Sequence, residues 1–75
     1  MATKISIEST NLDFVRFNKE ESTLDVWFKN SKDTFYRYED VPFEVYSELI
    51  LSESKGKFFA KEIKNTYQFS KQTEE

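Results

Sequence analysis

The sequence predicts an α+β domain: an antiparallel β-meander of three to four strands followed by two α-helices packed on one face. Three observations carry this. Leu24, Val26 and Phe28 alternate with Asp25 and Trp27, and Tyr36 and Tyr38 alternate with Phe35 and Arg37, the period of two that a strand requires. Short polar stretches of hairpin length, residues 18–22 and 30–33, separate the apolar runs. Beyond Pro42 the period changes: Val45 and Leu49 stand four apart, as do Tyr46 and Ile50, while Phe43 and Tyr46 stand three apart. That is the stripe of an amphipathic helix, with Glu44, Ser47 and Glu48 left to water.

In chain order, Ile5 and Ile7 suggest a short first strand. Residues 11–17 form the next, with Leu12, Phe14, Val15 and Phe17 supplying apolar groups to both faces. Residues 23–29 and 34–39 follow. The first helix opens with Pro42 at its first helical position, where a missing N–H costs nothing. Glu44 places negative charge near its positive end. Residues 52–56 are a junction, and Gly56 there permits either a positive φ or a close backbone approach. Phe59, Ile63 and Tyr67 are spaced by four, so a second helix is expected over residues 56–65 with Ser54 as its N-cap. Residues 67–69 read as a short extended return and residues 70–75 as a frayed polar tail.

Parity assigns two sheet faces. Leu24, Val26, Phe28, Tyr36 and Tyr38, with Val15 and Phe17, form the side that the helices cover. The other carries Phe14, Arg16, Trp27, Phe35 and Arg37, and so many aromatics there imply either a second small core under the termini or a working surface.

With 75 residues, the chain has room for a single domain spanning 1–75. It has no cysteine, so neither disulfides nor thiolate metal sites support it, and its 17% aromatic content must build the core. No apolar run approaches the ~20 residues of a membrane span, and the first residues lack the core of a signal peptide, which points to the cytoplasm. Without histidine or cysteine the usual bases and nucleophiles near neutral pH are missing, so no enzyme is expected. The Ser-x-x-Lys spacings at Ser52/Lys55 and Ser54/Lys57 are read as chance, and no cofactor or metal site is expected.

The net charge of −3 argues against nucleic-acid binding through bulk charge. Its distribution is uneven: residues 1–54 carry six Lys/Arg against eleven Asp/Glu, and residues 55–75 five Lys against three Glu. Lys55, Lys57, Lys61 and Lys64 make a small basic patch on an acidic body.

The strand Leu24 to Phe28 is followed in unbroken order by Tyr36-Arg-Tyr38, Val41-Pro42, Val45-Tyr46, Ser54-Lys-Gly56, Phe58-Phe59, Ile63 and Tyr67. By these residues the chain resembles the KTSC domain family over roughly residues 9–69. Two positions depart from the pattern. Residues 31–33 lack the glycine often found there, and Ala60 stands where asparagine is common. The family occurs at the C-terminus of some lysyl-tRNA synthetases and as free-standing small proteins of bacteria and phages. The resemblance implies no established activity. RNA binding is suggested for the family by the synthetase association, an argument from analogy.

The leading expectation is therefore a non-catalytic binding module contacting RNA, tRNA-like in the first instance, through Arg37, Lys55, Lys57, Lys61, Lys64 and the Trp27–Phe35 face. Trp27 and Phe35 would stack bases there, and the arginines would add phosphate contacts. Tyr36, Tyr38, Pro42, Tyr46, Ser54, Gly56, Phe59, Ile63 and Tyr67 are expected to be structural. The alternative is a protein–protein or homo-oligomeric assembly module using the aromatic second face, so a monomer and a weak homodimer both remain open.

Overall fold

The computed structural model describes residues 3–9, 11–30 and 33–73. Five antiparallel strands lie side by side in sequence order: β1 Ile5–Ser6, β2 Leu12–Asn18, β3 Thr23–Phe28, β4 Thr34–Tyr38 and β5 Phe69–Thr73. Between β4 and β5 the chain forms α1 (Phe43–Leu51), α2 (Lys55–Phe58) and a π-helical segment, Phe59–Ile63, that continues α2 without a break. The α+β meander is as the sequence predicts, with five strands in place of three to four.

The extra strand is β5. It starts at the end of the short extended return expected over 67–69 and runs on through residues 70–73, where a frayed tail is expected, and its five residues pair with β4 from Thr34 opposite Thr73 to Tyr38 opposite Phe69. Ser31 and Lys32 of the second turn, and Glu74 and Glu75 of the tail, lie outside the described residues.

The two faces follow parity, with one adjustment. Leu12 pairs with Phe28 and Phe14 with Trp27, so Asp13 is an extra residue, a β-bulge. The bulge resets the alternation. Leu12 and Val15 thereby reach the same face, both fully buried, while Phe14 and Arg16 turn to the other. On the helix side Leu12, Val15, Leu24, Val26, Tyr38, Val41, Leu49, Phe59 and Ile63 form one core, with Phe17, Phe28, Tyr36 and Tyr46 packed against it.

The strand-to-helix break has a local cause. Asp40 adopts φ 58°, and the Val41 N–H donates to the Ser22 carbonyl at 2.9 Å, which ends the alternation. Pro42 is not the first helical residue. Its ψ of 149° is extended, and its carbonyl accepts from the N–H groups of Val45 and Tyr46, so it is the residue that caps α1. Ser54 holds the corresponding position before α2 but makes no side-chain cap. Its carbonyl accepts from the Phe58 N–H at 2.9 Å. The helix predicted from residue 56 starts one residue earlier and widens at Phe59, where the Lys64 N–H reaches back five residues to the Phe59 carbonyl.

Gly56 is needed for space and not for a left-handed backbone. A Cβ there would stand 2.7 Å from Asn11 Oδ1 and 3.2 Å from Ser9 Oγ. Those atoms belong to a locked turn in which the Ser9 hydroxyl donates to Asn11 Oδ1 and accepts from the Asn11 and Leu12 N–H groups. In a helix interior, alanine gains about 1 kcal/mol over glycine, so the crowding by Asn11 decides the sign. Gly56→Ala is expected to destabilise the wild-type chain. The same substitution in an Asn11→Ala background is expected to be neutral or stabilising, as a thermodynamic cycle by urea denaturation will read.

Candidate nucleic-acid interface

The residues that sequence reasoning grouped into one RNA surface fall on two sides of the molecule. Arg37, Trp27 and Phe35 lie on the sheet face turned away from the helices. Lys55, Lys57, Lys61 and Lys64 belong to or adjoin the helical segment whose inner side holds Phe59 and Ile63 in the core.

On the outer sheet face the central residue is one the sequence reading passed over. Asp25 is 2% exposed and sits in β3 directly between Arg16 of β2 and Arg37 of β4. Arg16 donates to Asp25 Oδ2 from Nε at 2.9 Å and from Nη2 at 2.8 Å. Arg37 donates from Nε to Oδ1 at 2.8 Å and from Nη2 to Oδ2 at 3.3 Å. The hydrogen bond to Asp25 raises the Arg37 guanidinium above its ordinary pKa, against the opposing effect of desolvation.

Beside this row lies an aromatic one. The Trp27 and Phe35 rings are 4.5 Å apart, centroid to centroid, and are roofed by cations. Lys4 Nζ stands 4.5 Å from the Trp27 ring and 4.6 Å from that of Phe14. The Arg16 guanidinium is 5.1 Å from Trp27 and 5.5 Å from Phe35, and the Arg37 guanidinium is 5.5 Å from Phe35. Trp27 is consequently 4% exposed and Phe35 7%. Base stacking needs an open ring face, and these faces are already occupied. The same burial leaves little apolar area for a docking partner. The neighbouring depression, about 370 Å³, brings Glu20, Glu21 and Asp25 to Arg16 and Arg37. Three carboxylates against two guanidiniums give no positive field for a phosphate.

The lysine side differs. Lys55 is half-buried, and its Nζ donates to the Ser52 carbonyl at 2.9 Å, which ties the junction between the helices. Lys57, Lys61 and Lys64 are exposed, and among the described residues none of their ammonium groups forms an ion pair or hydrogen bond. Lys57 also borders a shallow depression of about 460 Å³ between the Ser54–Gly56 turn and the Ser9–Asn11 turn. Ala60 lines it at the position where the family pattern commonly has asparagine.

The expected structural residues are found in structural places. Tyr38 is buried edge-on to Phe59 at 5.4 Å, and Tyr46 stacks on Phe17 at 4.9 Å with the rings 13° apart. Tyr36 and Tyr67 pack against the core. Burial pushes the phenols of Tyr38 and Tyr46 above the ordinary 10.0, with the neighbouring Tyr36 adding to the effect at Tyr38. Because the folded values are raised, the unfolded chain ionises first as pH rises. Stability is therefore expected to hold up to about pH 9.5 and to fall above about pH 10. Urea midpoints followed across that range will check this, and Tyr38→Phe with Tyr46→Phe should flatten the decline.

This is a small sheet-and-helix module whose diagnostic residues build its core and the close approach of Gly56 to the Ser9–Asn11 turn. The sequence profile of the KTSC domain matches residues 8–67, and the chain belongs to that family. A crystal structure of a KTSC domain protein from Yersinia pestis is similar over 96% of this chain and 99% of that one, with a TM-score of 0.89 at 21% identity. The comparison with curated proteins gives no match. No described helix is long and apolar enough to cross a membrane.

Proposed function

We propose that this chain is a non-catalytic RNA-contacting module of the cytoplasm that neutralises backbone phosphates with Lys57, Lys61 and Lys64. The observation that supports the reading is the exposed row of three lysines that have no partner among the described residues, held by a helical segment anchored through Phe59 and Ile63. Phosphate contacts of this kind position a nucleic acid without reading its sequence. In this reading Arg16, Arg37, Trp27 and Phe35 stiffen the sheet from behind and take no base, and Lys55 sets the helix junction.

Binding through three lysines releases a corresponding number of counterions, so the logarithm of the affinity should fall with the logarithm of salt at a slope of about −2 to −3. The test is a titration of a mixed tRNA preparation into isotope-labelled protein at low salt. Amide shifts confined to residues 57–64, reversed by added salt and lost in a Lys57→Gln, Lys61→Gln, Lys64→Gln variant, are expected. Shifts centred on Arg16 and Arg37, or none at low salt, would end this reading.

A further inference from the structure

We infer that the outer edge of β5 is a docking strand for an extended acidic segment of a partner protein, a second contact that shares only Lys64 with the lysine row. The Glu39 N–H donates to the Gln68 carbonyl at 2.9 Å, which fixes the phase of the β4–β5 ladder. Hydrogen-bonded pairs alternate in an antiparallel ladder, so Ser70 opposite Arg37 and Gln72 opposite Phe35 turn their peptide groups toward β4. The peptide groups of Phe69, Lys71 and Thr73 then point out of the sheet. Among the described residues nothing hydrogen-bonds to them. The other edge strand, β1, has only two residues, so β5 is the longer terminal template.

The side chains beside those outward groups select the occupant. Phe69 is 52% exposed and packs 5.3 Å from the rings of both Tyr36 and Tyr38. With Phe28, Lys64 and Asn65 these rings line a depression of about 390 Å³ on the helix side. Lys71, opposite Tyr36, is exposed on the same side. An added strand would set one side chain against Phe69 and another, two positions away, against Lys71. An apolar residue suits the first place and an acidic one the second, and Lys64 strengthens the acidic preference. A second copy of this chain fits poorly. The antiparallel pairing that overlaps all of β5 puts Lys71 opposite Lys71, a repulsive pair of the kind that keeps native edges apart. The lysine thus rejects its own kind and attracts a carboxylate, and main-chain hydrogen bonds supply the rest, as in other strand-addition complexes.

The probe is a blocked threonine-rich peptide carrying a glutamate and, two positions on, a phenylalanine, titrated into the labelled full chain. Expected are shifts and slowed hydrogen exchange at the amides of Phe69, Lys71 and Thr73, with binding roughly tenfold weaker when lysine replaces the peptide glutamate. Lys71→Pro removes an outward N–H and leaves the ladder to β4 intact, so it should weaken binding by about tenfold or more with the fold retained. Lys71→Glu should reverse the preference between the glutamate and lysine peptides, which keeps the test sharp should the proline variant unfold. No binding at millimolar peptide, shifts elsewhere, or equal binding by Lys71→Pro and wild type would overturn the inference. Shifts of the same amides with protein concentration alone, without peptide, would assign the edge to a second copy and overturn it equally.

Discussion

Asp25→Ala is expected to cost about 3–5 kcal/mol, because it leaves two guanidiniums side by side without the carboxylate that holds both. A chain of this length is stable by only about 4–11 kcal/mol, so much of the population would unfold at moderate urea. The arginine side chains keep 29% and 36% of their exposure, so part of their charge can relax into water, and the lower half of the range is the better guide. The only tryptophan is a convenient reporter, since Arg16 roofs its ring and would leave it. A companion variant separates charge from packing. Asp25→Val combined with Arg16→Met and Arg37→Met removes all three ions together and should recover most of the loss, as apolar replacements of buried ion clusters commonly do. A loss under about 1 kcal/mol for Asp25→Ala would mean that the cluster contributes geometry without net stability.

Phe59→Ala is the second large effect, expected at about 3–5 kcal/mol. The Phe59 side chain is almost wholly buried, and its ring meets Phe28 at 5.6 Å and Tyr38 at 5.4 Å, both edge-on. It is the bolt between the helical segment and the middle of the sheet. Tyr38 in turn carries Phe69, so the cavity should also loosen the docking of β5. Phe59→Leu keeps most of the volume and should cost about 1–1.5 kcal/mol. Chemical denaturation of the two variants decides this. Equal losses would show that the site collapses around either residue and that the ring geometry adds nothing.

Much of this was legible in the residues because alternation is a direct consequence of strand geometry. The helix side of the sheet, Leu24, Val26, Tyr36 and Tyr38, follows from parity alone. The opposite placement of Trp27, Phe35 and Arg37 follows from the same rule and already separates them from the lysines. Four features escaped for physical reasons. The bulge at Asp13 inserts a residue, so residues 12–17 show both faces at once instead of one period. In β5 residues 70–73 are all polar, because only Phe69 packs. That strand is dictated by unpaired peptide groups on β4, which no side-chain pattern reports. Asp25 reads as a solvated residue in an alternating strand, although Arg16 and Arg37 at the same parity on either side were the signal that it is enclosed. The π-helical turn is invisible because Phe59 and Ile63, four apart, suit either helix. Tyr38, Val41, Phe59 and Ile63 of the family pattern are buried and Tyr36, Val45, Tyr46, Phe58 and Tyr67 pack against them, which is why the pattern specifies the fold more than any ligand.

The strand order also dictates the order of assembly. Strands β1 to β4 are joined by loops of about five residues, whereas β4 and β5 are joined by a stretch of roughly 30 that contains both helices. Closing the longer loop costs roughly 1.5 kcal/mol more chain entropy. The first four strands can zip from one turn to the next, but β5 has nowhere to go until the helices have folded back over the sheet. It is thus the last of the longer strands to arrive, and its departure would bare the edge of β4.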